Sequence, residues 1–290
     1  MNQTPLATLP EKLLLLEQQH YSVRDTHLYA LGLGIGQDPC DEDQLVCLRT
    51  INPAVVPTQV AVLAASSAWM RDPANGIDWK QLVALSHHME FDRDLPAHGQ
   101  VESKLVVTDV WDRGPGNGAI IDWTRELFAE DGERLATVQG RVLARGNGGF
   151  GGTPSTQHRI PAPEGVPEWS VTWQTHPGQA QLYALSGDDN PLHREPNVAR
   201  AAGFPRPILH GLCTLGICNF VVARKAAEQG RMLEISGRYA GVAYPGETLR
   251  VDIWKPQQDD EYRFRCTAVE RDAPILEDGV ARFAPNHNSH

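Results

Sequence analysis

The chain has 290 residues, a length that fits one large domain or two ordinary ones. Apolar residues make up 41% of the sequence and charged residues 21%, a balance typical of a globular protein and not of a disordered chain. Acidic residues outnumber lysine and arginine by 36 to 26, and the formal net charge is −10. This excess of negative charge argues against a nucleic-acid partner, because phosphate backbones are bound by basic surfaces.

Cysteine usage and the terminal residues indicate the compartment. The five cysteines form no C-x-x-C pair, so the sequence predicts neither a disulfide framework nor a zinc site and favours a reducing, cytoplasmic environment. The first residues lack the pattern of a signal peptide, and the final Asn-Ser-His differs from the peroxisomal Ser-Lys-Leu address. The longest mostly apolar stretch, residues 208–223, is too short and too polar to span a bilayer, so no membrane association is predicted.

The first half of the chain is predicted to be rich in strands. A strand series is expected between positions 101 and 145, and it includes Val-Thr-Asp-Val-Trp at 107–111. The segment at 54–70 contains many alanines but is interrupted by proline, so it is a poor candidate for a long helix.

A run rich in glycine, residues 145–157, separates the two halves. Such a run is typical of a linker or a broad turn, and we predict an N-terminal repeat at 1–150 and a C-terminal repeat at 151–290. Residues 146–151 also match G-x-G-x-x-G, but no predicted helix follows them, so a dinucleotide site is not expected.

The second half alternates helices and strands. A buried helix is predicted from Gly211 to Gln229, closed by Gly230, because its apolar residues cover much of the helix circumference. Strand 249–253 alternates apolar and polar residues, as a half-buried strand does. The other predicted elements are a strand at 171–174, helices at 179–186 and 196–202, and strands at 262–268 and 280–283.

The two halves resemble each other. Arg-Val-Asp-Ile-Trp at 250–254 repeats the pattern of 107–111, and each half then ends in a run with glycine followed by Ala-Arg. This similarity predicts a duplicated unit, and a buried helix followed by antiparallel strands predicts an α+β unit with a sheet wrapped around a helix. Because 54–70 is a poor helix, the first repeat is expected to have lost or shortened its central helix, which leaves room for a ligand.

A possible catalytic pair lies in the second repeat. Asp188 follows the end of a predicted helix, and His193 comes five residues later. Pro191 keeps Asn190 out of the α region, so a turn is expected between them. A turn can direct a carboxylate and an imidazole at one water molecule, which suits adding water to an activated double bond or removing it.

Gly211 is placed at the N-terminus of the buried helix. The first backbone N–H groups of a helix have no partner within it, and the helix dipole favours negative charge there. A glycine also lets a ligand carbonyl approach closely. This position therefore predicts an oxyanion hole for a thioester carbonyl that becomes an enolate.

These residues lie in a recognisable motif. Gly-Asp-Asp-Asn-Pro-Leu-His at 187–193, followed by Pro-Ile-Leu-His-Gly-Leu-Cys-Thr at 207–214, resembles the hydratase 2 motif of MaoC-like (R)-specific 2-enoyl-CoA hydratases. The similarity extends to the two-repeat form found in the hydratase domain of peroxisomal multifunctional enzyme type 2. It is carried there by residues 24–34, 106–116, 146–152 and 238–254.

The resemblance implies a double hotdog fold and reversible hydration of trans-2-enoyl-CoA to (R)-3-hydroxyacyl-CoA, without metal or redox cofactor. It places the catalytic pair on Asp188 and His193 and the oxyanion donor on the amide of Gly211. By the same resemblance, the substrate-binding positions are Asn190, Arg113 (toward CoA), Tyr239 (beside the acyl group) and Tyr183 (packed near the site). His210 is interpreted as structural, and a homodimer is possible.

One stretch departs from the family pattern. Relatives carry His-Gly-Glu before the first-half strands, where this chain has Leu-Ser-His-His-Met-Glu-Phe at 85–91. In the relatives the His-Gly pair contacts the ligand, and in this chain either His87 or His88 can take its place.

Two other functions stay open at this point: a thioesterase and a non-catalytic acyl-CoA binding protein. A dehydratase that acts on acyl carrier protein is a variant of the main hypothesis.

Overall fold

The computed structural model describes residues 5–151, 160, 163, 165–226, 228–255 and 261–285; residues 152–159 of the predicted linker lie outside them. The strands form one ten-stranded antiparallel sheet. The strands are β1 (Leu13–Tyr21), β2 (Leu82–Phe91), β3 (Gly99–Asp112), β4 (Ala119–Ala129), β5 (Arg134–Ala144), β6 (Trp169–Gln174), β7 (Met232–Tyr239), β8 (Thr248–Trp254), β9 (Glu261–Ala268) and β10 (Ala273–Phe283).

The sheet consists of two repeats with the same topology. From its outer edge to the centre, the first half has the order β1-β3-β4-β5-β2 and the second half the order β6-β8-β9-β10-β7. The halves meet at β2 and β7, which pair antiparallel with His88 opposite Ser236. The two Asp-apolar-Trp patterns lie on β3 and β8, which hold equivalent places. The similarity between the two halves of the sequence therefore reflects a repeated strand order.

The helices differ between the two repeats. The α-helices are α1 (Val23–Gly32), α2 (Glu42–Leu45), α3 (Ala68–Arg71), α4 (Gln179–Ala184), α5 (Pro196–Ala201) and α6 (Gly211–Lys225). Helix α6 packs on the second repeat, and every residue from Cys213 to Val222 is buried. It ends at Lys225, earlier than the predicted Gln229. Arg224 in its last turn donates hydrogen bonds to the carboxylates of Asp41 and Asp43.

The first repeat has a shortened substitute for such a helix, as predicted. Its segment forms a 3-10 helix at Pro57–Ala61 and the single-turn helix α3. Arg125 on β4 is only 1% exposed, and its guanidinium donates to the carbonyl oxygens of Val60 at 2.7 Å and Leu63 at 2.8 Å. A charged side chain that reaches them from the sheet thus satisfies these two backbone carbonyls.

Arg125→Met is expected to lower the free energy of unfolding by about 3 kcal/mol. The substitution keeps an apolar stem but removes two charge-assisted donors. The buried carbonyl oxygens of Val60 and Leu63 then lose these hydrogen bonds. Urea denaturation at neutral pH measures the difference. Arg93→Met is the control, because Arg93 makes its ion pair with Asp131 at the surface and should leave the unfolding transition unchanged. Equal stability of the two variants would contradict the assigned role of Arg125.

Among the described residues, none of the helices has both the length and the apolar character needed to cross a membrane.

Candidate active site

The loop between α4 and α5 forms the turn that the sequence predicts. The Asp188 Oδ1 atom accepts a hydrogen bond from the Asn190 backbone N–H at 3.1 Å, and the Asn190 side-chain oxygen accepts one from the Leu192 N–H at 3.1 Å. Asn190 has an extended backbone with ψ of 118°, and a 3-10 turn at Pro191–His193 follows. Asn190 therefore shapes the turn that brings Asp188 and His193 together.

The His193 imidazole is buried in a defined tautomer. Its Nδ1 lies 2.9 Å from the carbonyl oxygen of Ile208. A carbonyl oxygen only accepts hydrogen bonds, so Nδ1 carries the proton and Nε2 presents a lone pair. Burial lowers the pKa of His193 below its usual value, although the nearby Asp188 carboxylate opposes that shift. A neutral His193 can accept a proton at Nε2.

His210 completes the cluster. The sequence led us to interpret this histidine as structural and did not predict its place beside Asp188 and His193. Its ring stacks on the His193 ring with centroids 3.7 Å apart, and its Nε2 lies 3.9 Å from the Asp188 Oδ2. It is 1% exposed, and neither ring nitrogen makes a hydrogen bond of ordinary geometry to the described residues. Burial and the neighbouring His193 hold the pKa of His210 well below its usual value. The only sequence signal was its position directly before Gly211.

Asp188, His193 and His210 each offer one possible metal-ligand atom, and these atoms lie within 4.8 Å of one another. The two imidazole rings are inclined by only 28° and are stacked. Ring lone pairs lie in the ring plane, so two stacked rings direct them within nearly parallel planes. A tetrahedral metal site needs convergent donors instead. The cluster is better suited to holding a water molecule or a proton.

The N-terminus of α6 lies next to this cluster. Gly211 is the first residue of the helix, directly after the cap residue His210, and its N–H has no acceptor within the part of the chain that the structure describes. A Cβ atom added to Gly211 would lie 2.9 Å from two ring carbons of Tyr239. Glycine is needed here because the tyrosine ring approaches so closely. The amide and the helix dipole together can stabilise a developing oxyanion.

The structure brings most of the predicted site residues together. Tyr183 is fully buried, and its ring centroid lies 4.9 Å from that of His210. Arg113 is the exception, because it lies on the exposed turn between β3 and β4 and its guanidinium donates to the Asn117 carbonyl at 3.3 Å. Within the described residues it contacts neither Asp188 nor His193.

The two candidate histidines of the first repeat lie on opposite faces of β2. His87 is buried, and its Nδ1 is hydrogen-bonded to the Tyr239 hydroxyl at 2.9 Å. Burial and the charge of Arg125 lower the pKa of His87 to about 4, so this imidazole is neutral near pH 7. His88 faces outward between Glu90 and Glu234. Only His87 contacts a residue of the candidate site.

Comparison with known proteins places the chain in a family. The MFE-2 hydratase 2 N-terminal domain matches residues 19–146, and the MaoC like domain matches residues 159–277. Enoyl-CoA hydratase ChsH3 of Mycobacterium tuberculosis is 40% identical over 264 residues, which cover 88% of this chain and 90% of that protein. The chain belongs to the MaoC-like enoyl-CoA hydratase 2 family.

Solved structures agree with this assignment. Full-length peroxisomal multifunctional enzyme type 2 from Drosophila melanogaster superposes with a TM-score of 0.77 at 28% identity, over 93% of this chain and 48% of that one. A Mycobacterium tuberculosis protein with a double hotdog fold superposes with a TM-score of 0.57 at 12% identity, over 92% of this chain and 93% of that one, and shows the fold alone. The predicted α+β double hotdog is confirmed.

Proposed function

We propose that this protein catalyses reversible syn hydration of trans-2-enoyl-CoA to (R)-3-hydroxyacyl-CoA. The observation that carries the proposal is the Asp188–His193 pair beside the amide of Gly211 at the start of α6, which has no acceptor among the described residues. The test is the loss of absorbance of the enoyl-thioester band when the protein is added to crotonyl-CoA. Release of free CoA from a saturated acyl-CoA is measured in parallel. Free CoA without hydration would instead indicate a thioesterase.

The chemistry requires polarisation of the substrate. The Gly211 N–H donates a hydrogen bond to the thioester oxygen, and the helix dipole adds positive potential at the same place. Electron density withdrawn toward this oxygen makes the β-carbon electrophilic. In other enzymes, one such donor lowers the barrier by about 3–4 kcal/mol because it meets the oxygen as negative charge develops.

The pair then adds water to the polarised double bond. Water lies between the Asp188 Oδ2 and the His193 Nε2, and its oxygen attacks the β-carbon while one proton passes to the pair. Electrons of the double bond move to the thioester oxygen as an enolate. The enolate collapses when the pair returns one proton to the α-carbon, so H and OH are added and the pair ends unchanged. One water on one face makes the addition syn.

The remaining predicted residues have binding roles in this proposal. Arg113 on its exposed turn carries the positive charge that CoA phosphates need. Tyr239 borders the thioester beside Gly211, and Asn190 fixes the turn of the catalytic pair. Tyr183 supports the site by packing against His210.

The two repeats have different roles in this proposal. Residues 151–290 carry the catalytic pair, and residues 1–150 accommodate the acyl chain. A cavity of about 350 Å³ supports this division, because all but one of its lining residues belong to the first repeat. Its lining is mixed: the apolar side chains of Val55, Pro57, Phe91 and Leu95, with Met232 from the second repeat, lie beside Asn52, Arg93 and Asp94. Phe91 lies four positions after His87 on the same face of β2, about 13 Å away at the usual rise of a strand.

The division predicts a preference for longer acyl chains. Decenoyl-CoA is expected to have a kcat/KM at least about tenfold above that of crotonyl-CoA, because each methylene removed from water contributes up to about 0.8 kcal/mol. Initial rates at the enoyl-thioester band over a series of chain lengths measure this. Preference for the four-carbon substrate would contradict the role of the first repeat.

We also propose a cytoplasmic protein that forms a homodimer. The cysteines within the structure are free and all but Cys40 are buried, in keeping with a reducing compartment. The edge strand β1 exposes the apolar side chains of Leu13 and Leu16, which a second copy of the chain could cover. Light scattering of the purified protein tests the dimer.

A further inference from the structure

One side-chain contact connects the two repeats at the site. His87 lies on β2 and Tyr239 at the end of β7, the two central strands of the sheet, and His87 is paired in register with Gly237. The His87 Nδ1 and the Tyr239 hydroxyl are 2.9 Å apart, and the two rings meet edge to face with centroids 5.7 Å apart. A residue of the first repeat thus holds a residue of the second.

The surroundings keep His87 in place. Its side chain is 7% exposed, and the indole ring of Trp123 packs edge-on against it at a centroid distance of 5.8 Å. The guanidinium of Arg125 lies on the same inner face of β4 as Trp123, and its charge disfavours a second proton on His87. His87 is therefore a rigid, neutral hydrogen-bonding partner and not a titrating acid.

The ring of Tyr239 in turn borders the oxyanion amide. Its Cε1 and Cζ atoms approach Gly211 so closely that a Cβ there would lie 2.9 Å from both, and the hydroxyl oxygen would lie 3.3 Å away. A thioester oxygen bound at the Gly211 N–H would lie near this ring. The orientation of the ring therefore sets how the carbonyl approaches the amide, and small errors in that alignment slow the reaction.

We propose that His87 is a positioning residue that holds the Tyr239 ring beside the Gly211 amide, so that the first repeat controls the geometry of the oxyanion site in the second. This inference rests on the proposed hydratase function. It assigns to His87 no contact with substrate, and it gives the Leu-Ser-His-His stretch a role through Tyr239.

The test is a double-mutant cycle with His87→Leu and Tyr239→Phe. Each single variant removes one partner of the same hydrogen bond, and kcat for enoyl-CoA hydration is expected to fall about tenfold with KM changed less than about twofold. Because both remove one interaction, the double variant should be no slower than either single variant. Tyr239→Phe keeps the ring and remains informative if His87→Leu does not fold.

Two further variants separate positioning from simple packing. His87→Asn carries an amide where Nδ1 lies, so it should restore most of kcat. His88→Leu alters the neighbouring outward-facing side chain and should leave kcat unchanged.

Three results would overturn the inference: full activity of Tyr239→Phe, additive losses in the double variant, or losses confined to KM. The Asp188→Asn protein separates this inference from the proposed function. If Asp188→Asn is inactive while His87→Leu and Tyr239→Phe have normal rates, only the role of His87 fails. If Asp188→Asn is fully active, the proposed hydratase mechanism fails.

Discussion

Asp188→Asn protein is expected to fold normally and to lose kcat for enoyl-CoA hydration by about 10³-fold. The amide oxygen can still accept the Asn190 N–H that shapes the turn, so the loop should keep its form. The Oδ2 position that faces the histidine pair, however, loses its negative charge and its capacity to accept a proton. General acid–base groups contribute losses of this size when they are removed.

The adjacent aspartate provides the control for this variant. The Asp189 side chain is 64% exposed and forms its ion pair with Arg71 on the surface. Asp189→Asn should therefore keep kcat within about twofold of the parent protein, with an unchanged unfolding transition. Initial hydration rates and thermal unfolding of both variants measure the effect. Near-normal turnover in Asp188→Asn would remove Asp188 from the mechanism.

The second large effect is expected at Gly211. Gly211→Pro removes the backbone N–H, and proline is well accepted at the first position of a helix. Gly211→Ala keeps the N–H but places the same Cβ against the Tyr239 ring. Comparing the two separates the effect of the added Cβ from the effect of replacing the N–H by the proline ring.

We expect kcat of Gly211→Pro to be 10²–10³-fold below that of Gly211→Ala, the usual loss when one oxyanion donor is removed. Both proteins should show the same helix content by circular dichroism. Equal kcat values for the two variants would show that the Gly211 amide does not stabilise the transition state.

The parts of the site that depend on residues close together in the sequence could be predicted. The Asn190–Pro191 dipeptide allows few backbone conformations, so the turn at Asp188 follows from local sterics. The start of α6 at Gly211 and the poor helix at 54–70 were likewise visible in composition and periodicity. The repeated Asp-apolar-Trp pattern indicated two equivalent strands, and in the structure it lies on β3 and β8.

Features that depend on long-range contacts could not be predicted. The tautomer of His193 is set by the carbonyl of Ile208, fifteen positions away, and His210 joins the pair only because α6 begins beside it. Nothing in the sequence distinguishes His87 from His88 until strand pairing sets the face of β2 on which each lies. Arg125 is the clearest example. Most arginines lie on the surface, so the sequence does not indicate that this one is buried and satisfies backbone carbonyls.

The most direct measurement is the stereochemistry of crotonyl-CoA hydration in deuterated water, followed by proton NMR of the product. A single water held by the Asp188–His193 pair on one face, opposite the Gly211 amide, predicts one product. It is (R)-3-hydroxybutyryl-CoA with deuterium added to the same face as the hydroxyl group. A mixture of diastereomers, anti addition, or the (S) product would contradict the mechanism.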